Sequence, residues 1–339
     1  MKKITCIALL VGLAAFLASP VFAGGGAEKP AAGGTKYTLR FGHVLTEQDQ
    51  FHLFQKKWAE AVLAGTNGNL VMEIYANAQL GKEEDVLEQI RQGANIGWQT
   101  DFARLGSYVK GLSVVNASFF VDNYAEMLKV RESPTIKALN KELADKFGIA
   151  NLAFNWAQGY RMIFLNKDAR TPADLKGLRI RTAPAPIWVE SINALGCTAV
   201  ALPYGEQYTG MQTKIVDGIE QPYNAAANLK IFEVAKYVME TGHIFATNTM
   251  VVSQSWLSKL PQNYQTILAN ECNKAGEAAT KALEDQTAGS KKLMVDKGIT
   301  VIGRDKLDMQ AFIRESARAY TALGLTEVRA AIYKEIGKN

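Results

Sequence analysis

Two arginines carry the most chemical promise in this sequence. Arg161 opens a strand-like run within Gln158-Gly159-Tyr160-Arg161-Met162-Ile163-Phe164, and Arg181 closes the run Leu178-Arg179-Ile180-Arg181 just before Thr182-Ala183-Pro184. A guanidinium is a rigid fork of donors that fits a carboxylate with two parallel hydrogen bonds. The ordinary alternative for any single arginine is a surface ion pair with a nearby acid. Arg179 and Arg181 are two apart and share a strand face, yet only Arg181 lies at the carboxyl end. The apolar company in sequence (Met162, Ile163, Phe164, Pro184, Pro186, Trp188) points toward a cleft rather than open surface.

Patterns of catalysis do not accompany these arginines. The three histidines, His43, His52 and His243, form no H-E-x-x-H or Cys/His cluster. No G-x-S-x-G elbow, Walker loop or G-x-G-x-x-G follows a strand. The acids Glu83, Glu84, Asp85 and Glu88 read as a solvated helix start, where carboxylates favour the dipole, rather than as a metal or acid/base site. His43 ends the first strand and either faces a ligand or is partly buried; His243, after Thr241-Gly242, reads as part of a crossover. No metal and no cofactor is expected.

The elements that must position these residues alternate along the chain. Tyr37 to Gly42 and Leu70 to Tyr75 alternate apolar and polar, as strands do. Between them Phe51, Phe54, Trp58 and Val62 recur on one helical face that stops at Gly65. Thr171-Pro172-Ala173-Asp174 is an N-cap, a proline at the first helical position and an acid closing the box. A strand over Leu178–Arg181 and a helix from about Pro186 to Leu195 follow, and Pro261 to about Lys297 reads as one long helix. This alternation predicts an α/β fold with largely parallel sheets and helices on both faces. Ligands in such folds sit beyond the carboxyl ends of strands.

Bulk properties bound the class. Lys2 and Lys3, the apolar run Ile7–Leu17 and the ending Ser19-Pro20-Val21-Phe22-Ala23 predict a secretory signal peptide over residues 1–23, cut after Ala23. Residues 24–36, rich in Gly and Ala, read as a flexible arm. Beyond the leader 36 basic residues face 33 acidic ones, too mild a balance for a nucleic-acid binder. Cys197 and Cys272 could pair in an oxidising compartment or serve as small buried hydrophobes. About 300 remaining residues suggest two lobes.

Several runs in order resemble one family. They are Leu39-Arg40-Phe41-Gly42-His43, Gln79-Leu80-Gly81, Pro172-Ala173-Asp174-Leu175-Lys176-Gly177-Leu178-Arg179-Ile180-Arg181, Val216-Asp217-Gly218-Ile219-Glu220-Gln221-Pro222, Thr241-Gly242-His243-Ile244 and Trp256-Leu257-Ser258-Lys259-Leu260-Pro261. From Tyr37 to about Tyr320 the chain resembles the solute-binding proteins of TRAP transporters, of the DctP type. The resemblance implies a two-lobed, type II periplasmic-binding-protein-like fold with a hinge and a long helix spanning both lobes. The first lobe would take residues 37–158 and 247–286, the second 159–246 and 287–335. It implies a periplasmic, non-enzymatic protein, expected to be a monomer, that closes on a small organic anion and hands it to the small and large membrane permease subunits.

At the site, the resemblance implies that Arg181 pairs with the ligand carboxylate and that Arg161 assists. An amide that contacts the same carboxylate is implied at Gln221, which stands where the family usually has Asn, and Tyr204 would stack on the ligand or simply pack. Trp98, Gln99 and Asp101 end a first-lobe strand and are candidates to choose the ligand. Phe154, Trp156, Phe164 and Trp188 either hint at a less polar ligand or fill the core. Two other classes remain open: a periplasmic hydrolase or isomerase on the same lobes, and a sensor presenting its ligand to a receptor.

Overall fold

The computed structural model describes residues 35–338; the expected leader and most of the arm lie outside the described residues. Nine strands run β1 Tyr37–Gly42, β2 Leu70–Tyr75, β3 Ile96–Asp101, β4 Ile149–Leu165, β5 Arg179–Thr182, β6 Thr198–Ala201, β7 Gly218–Gln221, β8 Tyr237–Ser253 and β9 Thr300–Ile302. Their order is β2-β1-β3-β8-β4-β7-β5-β6, with β9 beside β8. The alternation read in β1 is real: Leu39 and Phe41 are fully buried and Arg40 is exposed. The first helix, Gln50–Gly65, starts where the Asp49 side chain accepts from the Phe51 N–H, and it buries Phe51, Trp58 and Val62. Phe54 is only half-buried.

The expectation of a largely parallel sheet holds at the flanks and fails in the middle. β2-β1-β3 and β6-β5-β7 are parallel, but β8 and β4 insert between them as antiparallel strands. Each is 17 residues long, and only the stretch from Arg161 was legible as a strand. Both are buried on both faces for most of their length, which erases the period-2 signal. They pair with each other from end to end through four register slips, two of which flank Gly159 and Arg161. Gly159 there has φ 86°, a left-handed conformation that a side chain would strain. This ribbon joins the two halves of the sheet, so the bend at Gly159 is where a hinge belongs.

The helix Gln262–Asp296, 35 residues long, lies along both halves as the sequence predicts. At about 1.5 Å per residue it spans about 50 Å. Its first part packs on the Gln50–Gly65 helix and β4, with the Trp58 indole donating to the Leu268 carbonyl at 3.0 Å. Further along, Asn224 Nδ2 donates to the Leu283 carbonyl at 2.9 Å. The helix Met309–Ala322 packs on Pro186–Ala194, whereas the closing helix Thr326–Ile336 packs on Tyr124–Glu132 and Pro134–Phe147. The last two helices therefore tie the Pro186–Ala194 helix to the Tyr124–Glu132 and Pro134–Phe147 helices. Cys197 and Cys272 are both buried and unpaired. Among the described residues no helix is long and apolar enough to cross a membrane.

Gly276 marks where the long helix meets the ribbon. A Cβ there would lie 2.6 Å from the indole nitrogen of Trp156, a fully buried ring, and 2.5 Å from Asn155 Oδ1. Alanine would gain about 1 kcal/mol of helix propensity, but overpacking costs about 1–3 kcal/mol. At contacts this short overpacking takes the upper part of that range, so Gly276→Ala is expected to lose about 1–2 kcal/mol net in denaturant unfolding; an unchanged or raised midpoint contradicts this packing.

Candidate functional site

The ends of β3, β5 and β7 and the bend of β4 converge on a small cavity. It is lined by Gln99, Asp101, Arg161, Arg181, Tyr204 and Gln221, six of the seven residues singled out from sequence. Trp98 is the seventh, and it is not in the lining. Side chains alternate across a strand, so Trp98 points opposite to Gln99. Its ring packs beneath Gly42, where an added Cβ would meet it at 2.4 Å.

Arg181 is the group on which the site turns. Its side chain is 1 % exposed. Nε and Nη2 both donate to the Leu202 carbonyl, at 2.9 and 2.6 Å, while Nη1 has no hydrogen-bond partner among the described residues. Burial pushes the guanidinium down to about 9; Glu220 opposes that shift, and Arg161 and Arg104 add to it. It stays charged at neutral pH.

The other two cationic groups are already matched. Arg161 makes a fork-to-fork pair with Glu220, Nη2 reaching Oε1 at 2.8 Å and the Glu220 carbonyl at 2.8 Å, with Nε on Oε2. Thr182 Oγ1 donates to the same carboxylate at 2.7 Å, and the Trp188 ring lies under the guanidinium at 4.8 Å. Burial alone would raise the Glu220 carboxyl, but Arg161 beside it outweighs burial and holds it below its ordinary value. Arg104 is held by Glu83 at 3.3 Å, Glu84 at 3.2 Å and Asp101, whose carboxylate also caps the short helix Phe102–Leu105.

Glu83 corrects the reading of its helix as a solvated start. It is 6 % exposed, accepts from Thr100 Oγ1 at 2.7 Å and lines the cavity. Burial pushes its carboxyl up to about 7, with Arg104 opposing and Asp101 adding to the shift. Sequence reasoning missed both Glu83 and Arg104. The available signal was spacing: Arg104 follows Asp101 by three residues, one helical turn past a strand end.

The histidines stand aside. His43 is fully buried, paired with His52 at 3.0 Å. His243 is also fully buried, beside Thr241 Oγ1 at 2.8 Å, and burial lowers it to about 4 against the pull of Glu220. Both are neutral at pH 7. Of the four aromatics weighed for an apolar ligand, Trp188 lines the cavity, whereas Phe154, Trp156 and Phe164 fill the core. Contacts cross between the proposed lobes on either side. Trp188 Nε1 donates to the Asn116 carbonyl at 3.0 Å, Asn228 Nδ2 donates to Asp49 at 3.1 Å, and the Tyr204 ring packs on the first lobe's apolar cluster. A larger crevice lies behind the ribbon, but its Glu240 and Lys291 already satisfy each other at 2.6 Å.

Two α/β halves joined by a bent ribbon, with a buried unmatched cation between them, have the form of a hinged solute-binding protein. The chain belongs to the bacterial extracellular solute-binding proteins of family 7, whose model matches residues 41–325. It is 26% identical over 316 residues to the 2,3-diketo-L-gulonate-binding periplasmic protein of Escherichia coli strain K12, covering 92% of this chain and 90% of that one. Among solved structures, a TRAP periplasmic solute-binding protein of Escherichia fergusonii in its apo open form is 30% identical, with a TM-score of 0.78 over 88% of this chain and 99% of that chain. One from Ochrobacterium anthropi with bound L-fuconate is 26% identical, with a TM-score of 0.84 over 89% of this chain and 100% of that chain. The chain thus superposes better on a ligand-bound relative than on an open one that is nearer in sequence.

Removing Glu220 would leave Arg161 buried and unmatched, so Glu220→Ala is expected to lose about 3–5 kcal/mol in denaturant unfolding; a loss under 1 kcal/mol contradicts the pairing. The folded chain holds the Glu83 proton more tightly than an unfolded chain does. The carboxyl therefore costs stability, absent below the ordinary carboxylate range and growing as pH rises to about 7. Glu83→Gln should flatten that stretch of the stability–pH curve by about 1–3 kcal/mol. An unchanged slope between pH 5 and 8 contradicts it.

Proposed function

We propose that this protein captures a small acid with one carboxylate and several hydroxyls in the cavity between its lobes, and delivers it to a TRAP-type membrane permease. The observation that carries this reading is Arg181, a buried cation in the cavity wall with one donor unmatched among the described residues and no acid of its own. A ligand carboxylate on Nη1 supplies the missing charge. The remaining polar wall favours hydroxyls over a second carboxylate, because Arg161 and Arg104 are spent on Glu220, Glu83 and Asp101. Those acids would repel a second anionic group while accepting from hydroxyls. Two relatives, named for L-fuconate and 2,3-diketo-L-gulonate, bind acids of this kind.

Capture needs no bond-making. The ligand touches both lobes only when they are closed, so it binds that form better and shifts the hinge equilibrium toward it. Residues 37–158 with 247–286, and 159–246 with 287–335, are the proposed moving bodies, with the Thr326–Ile336 helix packed on the first. The reading is of binding without catalysis: no histidine among the described residues lines the cavity. Export to the periplasm after cleavage at Ala23, and action as a monomer, complete the reading.

The test is calorimetry with L-fuconate, 2,3-diketo-L-gulonate and succinate, after native mass spectrometry of the purified protein for co-purified cargo. Truncating one partner of a buried charge pair costs about 2–5 kcal/mol, so Arg181→Ala should weaken the best-bound acid by about 30-fold or more and remain folded. The dicarboxylate succinate should bind weakest. Unchanged affinity in Arg181→Ala refutes the carboxylate role.

A further inference from the structure

The crevice behind the ribbon lies opposite the cavity. Side chains alternate across a strand, and on β4 Arg161 lines the cavity while its neighbour Met162 lines the crevice. Gln158, next to the left-handed Gly159, lines both, so little beyond the bend of the ribbon parts the two spaces. Both proposed bodies wall the crevice: Tyr124, Thr280 and Glu284 belong to the first, and Tyr160, Tyr223 and Phe245 to the second. The helix Gln262–Asp296 crosses from one body to the other along this wall, between Glu284 and Ala288.

Two bodies that turn about a line between two gaps cannot widen both. As the cavity opens, the crevice behind the bend must narrow, and it must widen again as the cavity shuts. Its walls are firm. The Tyr160 and Phe245 rings pack edge to face with centroids 5.1 Å apart, and Tyr223 is buried with its hydroxyl donating to Glu240 at 2.9 Å. Side chains packed in this way resist compression. At the rim the Tyr160 hydroxyl donates to the Asp122 carbonyl, one contact across the bodies that a tilt of the walls would break.

We propose that the rear crevice is the counter-gap of the hinge: free volume that opening consumes, so that bulk placed in it holds the lobes shut and tightens capture. This rests on the reading of the chain as two bodies that close on an acid. An apparent affinity is lowered in proportion to the fraction of molecules that is ready to bind. Where the shut form is only about 0.1–10% of the free protein, blocking the open form restores the affinity lost to that fraction.

The experiment adds the bulk after folding. Ala288 is exposed on the crevice wall, Cys197 and Cys272 are buried, and Cys6 lies in the expected leader. In Ala288→Cys a maleimide therefore reacts at residue 288 alone. Pyrene maleimide there should tighten the best bound of L-fuconate, 2,3-diketo-L-gulonate and succinate by about 10-fold or more in calorimetry. Small-angle scattering of the labelled protein without ligand should match that of the unlabelled protein with ligand. The same label on Thr266→Cys, exposed on the same helix outside the crevice, should do neither. Ala288→Trp should act in the direction of the label and serves should labelling be incomplete. Unchanged or weaker binding in labelled Ala288→Cys overturns the proposal. So does equal tightening by the label at 266, or an unlabelled protein whose scattering does not change with ligand. Arg181→Ala separates the two levels. If that variant loses an acid that the unaltered protein binds while the label at 288 changes nothing, only the counter-gap falls; if the unaltered protein binds no acid, the capture reading falls and takes the counter-gap with it.

Discussion

An ionised group taken out of water without a partner is among the most expensive things a fold can carry. This fold carries one at Arg181, with two of its nitrogens resting on a single carbonyl and the third unanswered among the described residues. Glu220 offsets that cost only in part. Glu220, the nearest candidate, is committed to Arg161 through two hydrogen bonds and to Thr182 through a third. The cost is local and electrostatic, and on the proposed reading an incoming carboxylate removes it. Binding energy of this kind is specific in sign, because only an anion collects it.

The architecture turns that local fact into a mechanical one. The cavity wall is divided between strand ends on either side of a ribbon, and the ribbon is made of two strands too long to belong to either half. Register slips and the left-handed Gly159 concentrate bending next to Arg161, one residue beyond the glycine's neighbour Tyr160. The helix Gln262–Asp296 packs on elements of both halves. A ligand that bridges the wall is therefore worth more in the closed form, and that difference alone is sufficient to drive closure.

How much of this was legible in the sequence depended on whether a signal is local. The capping box at Thr171 and Asp174, the strands at Tyr37 and Leu70 and the long helix all rest on short-range periodicity or cap chemistry, and they stand where the sequence predicts them. Arg181 was legible because a strand end and its apolar neighbours are both visible in one short window. β4 and β8 were not, since burial on both faces removes alternation. Glu83 looks like any acid in a first helical turn until Arg104 and Thr100, distant in sequence, close over it. Trp98 was grouped with Gln99 and Asp101 by adjacency, whereas strand alternation sends it to the other face.

The most direct measurement of the central claim is a crystal structure of the protein with its co-purified or best-bound acid in place. The account predicts a carboxylate oxygen within hydrogen-bond distance of Arg181 Nη1, with residues of both lobes around the same molecule. A ligand whose acid group lies elsewhere, or an Arg181 that already pairs with a carboxylate of the chain itself, would contradict it.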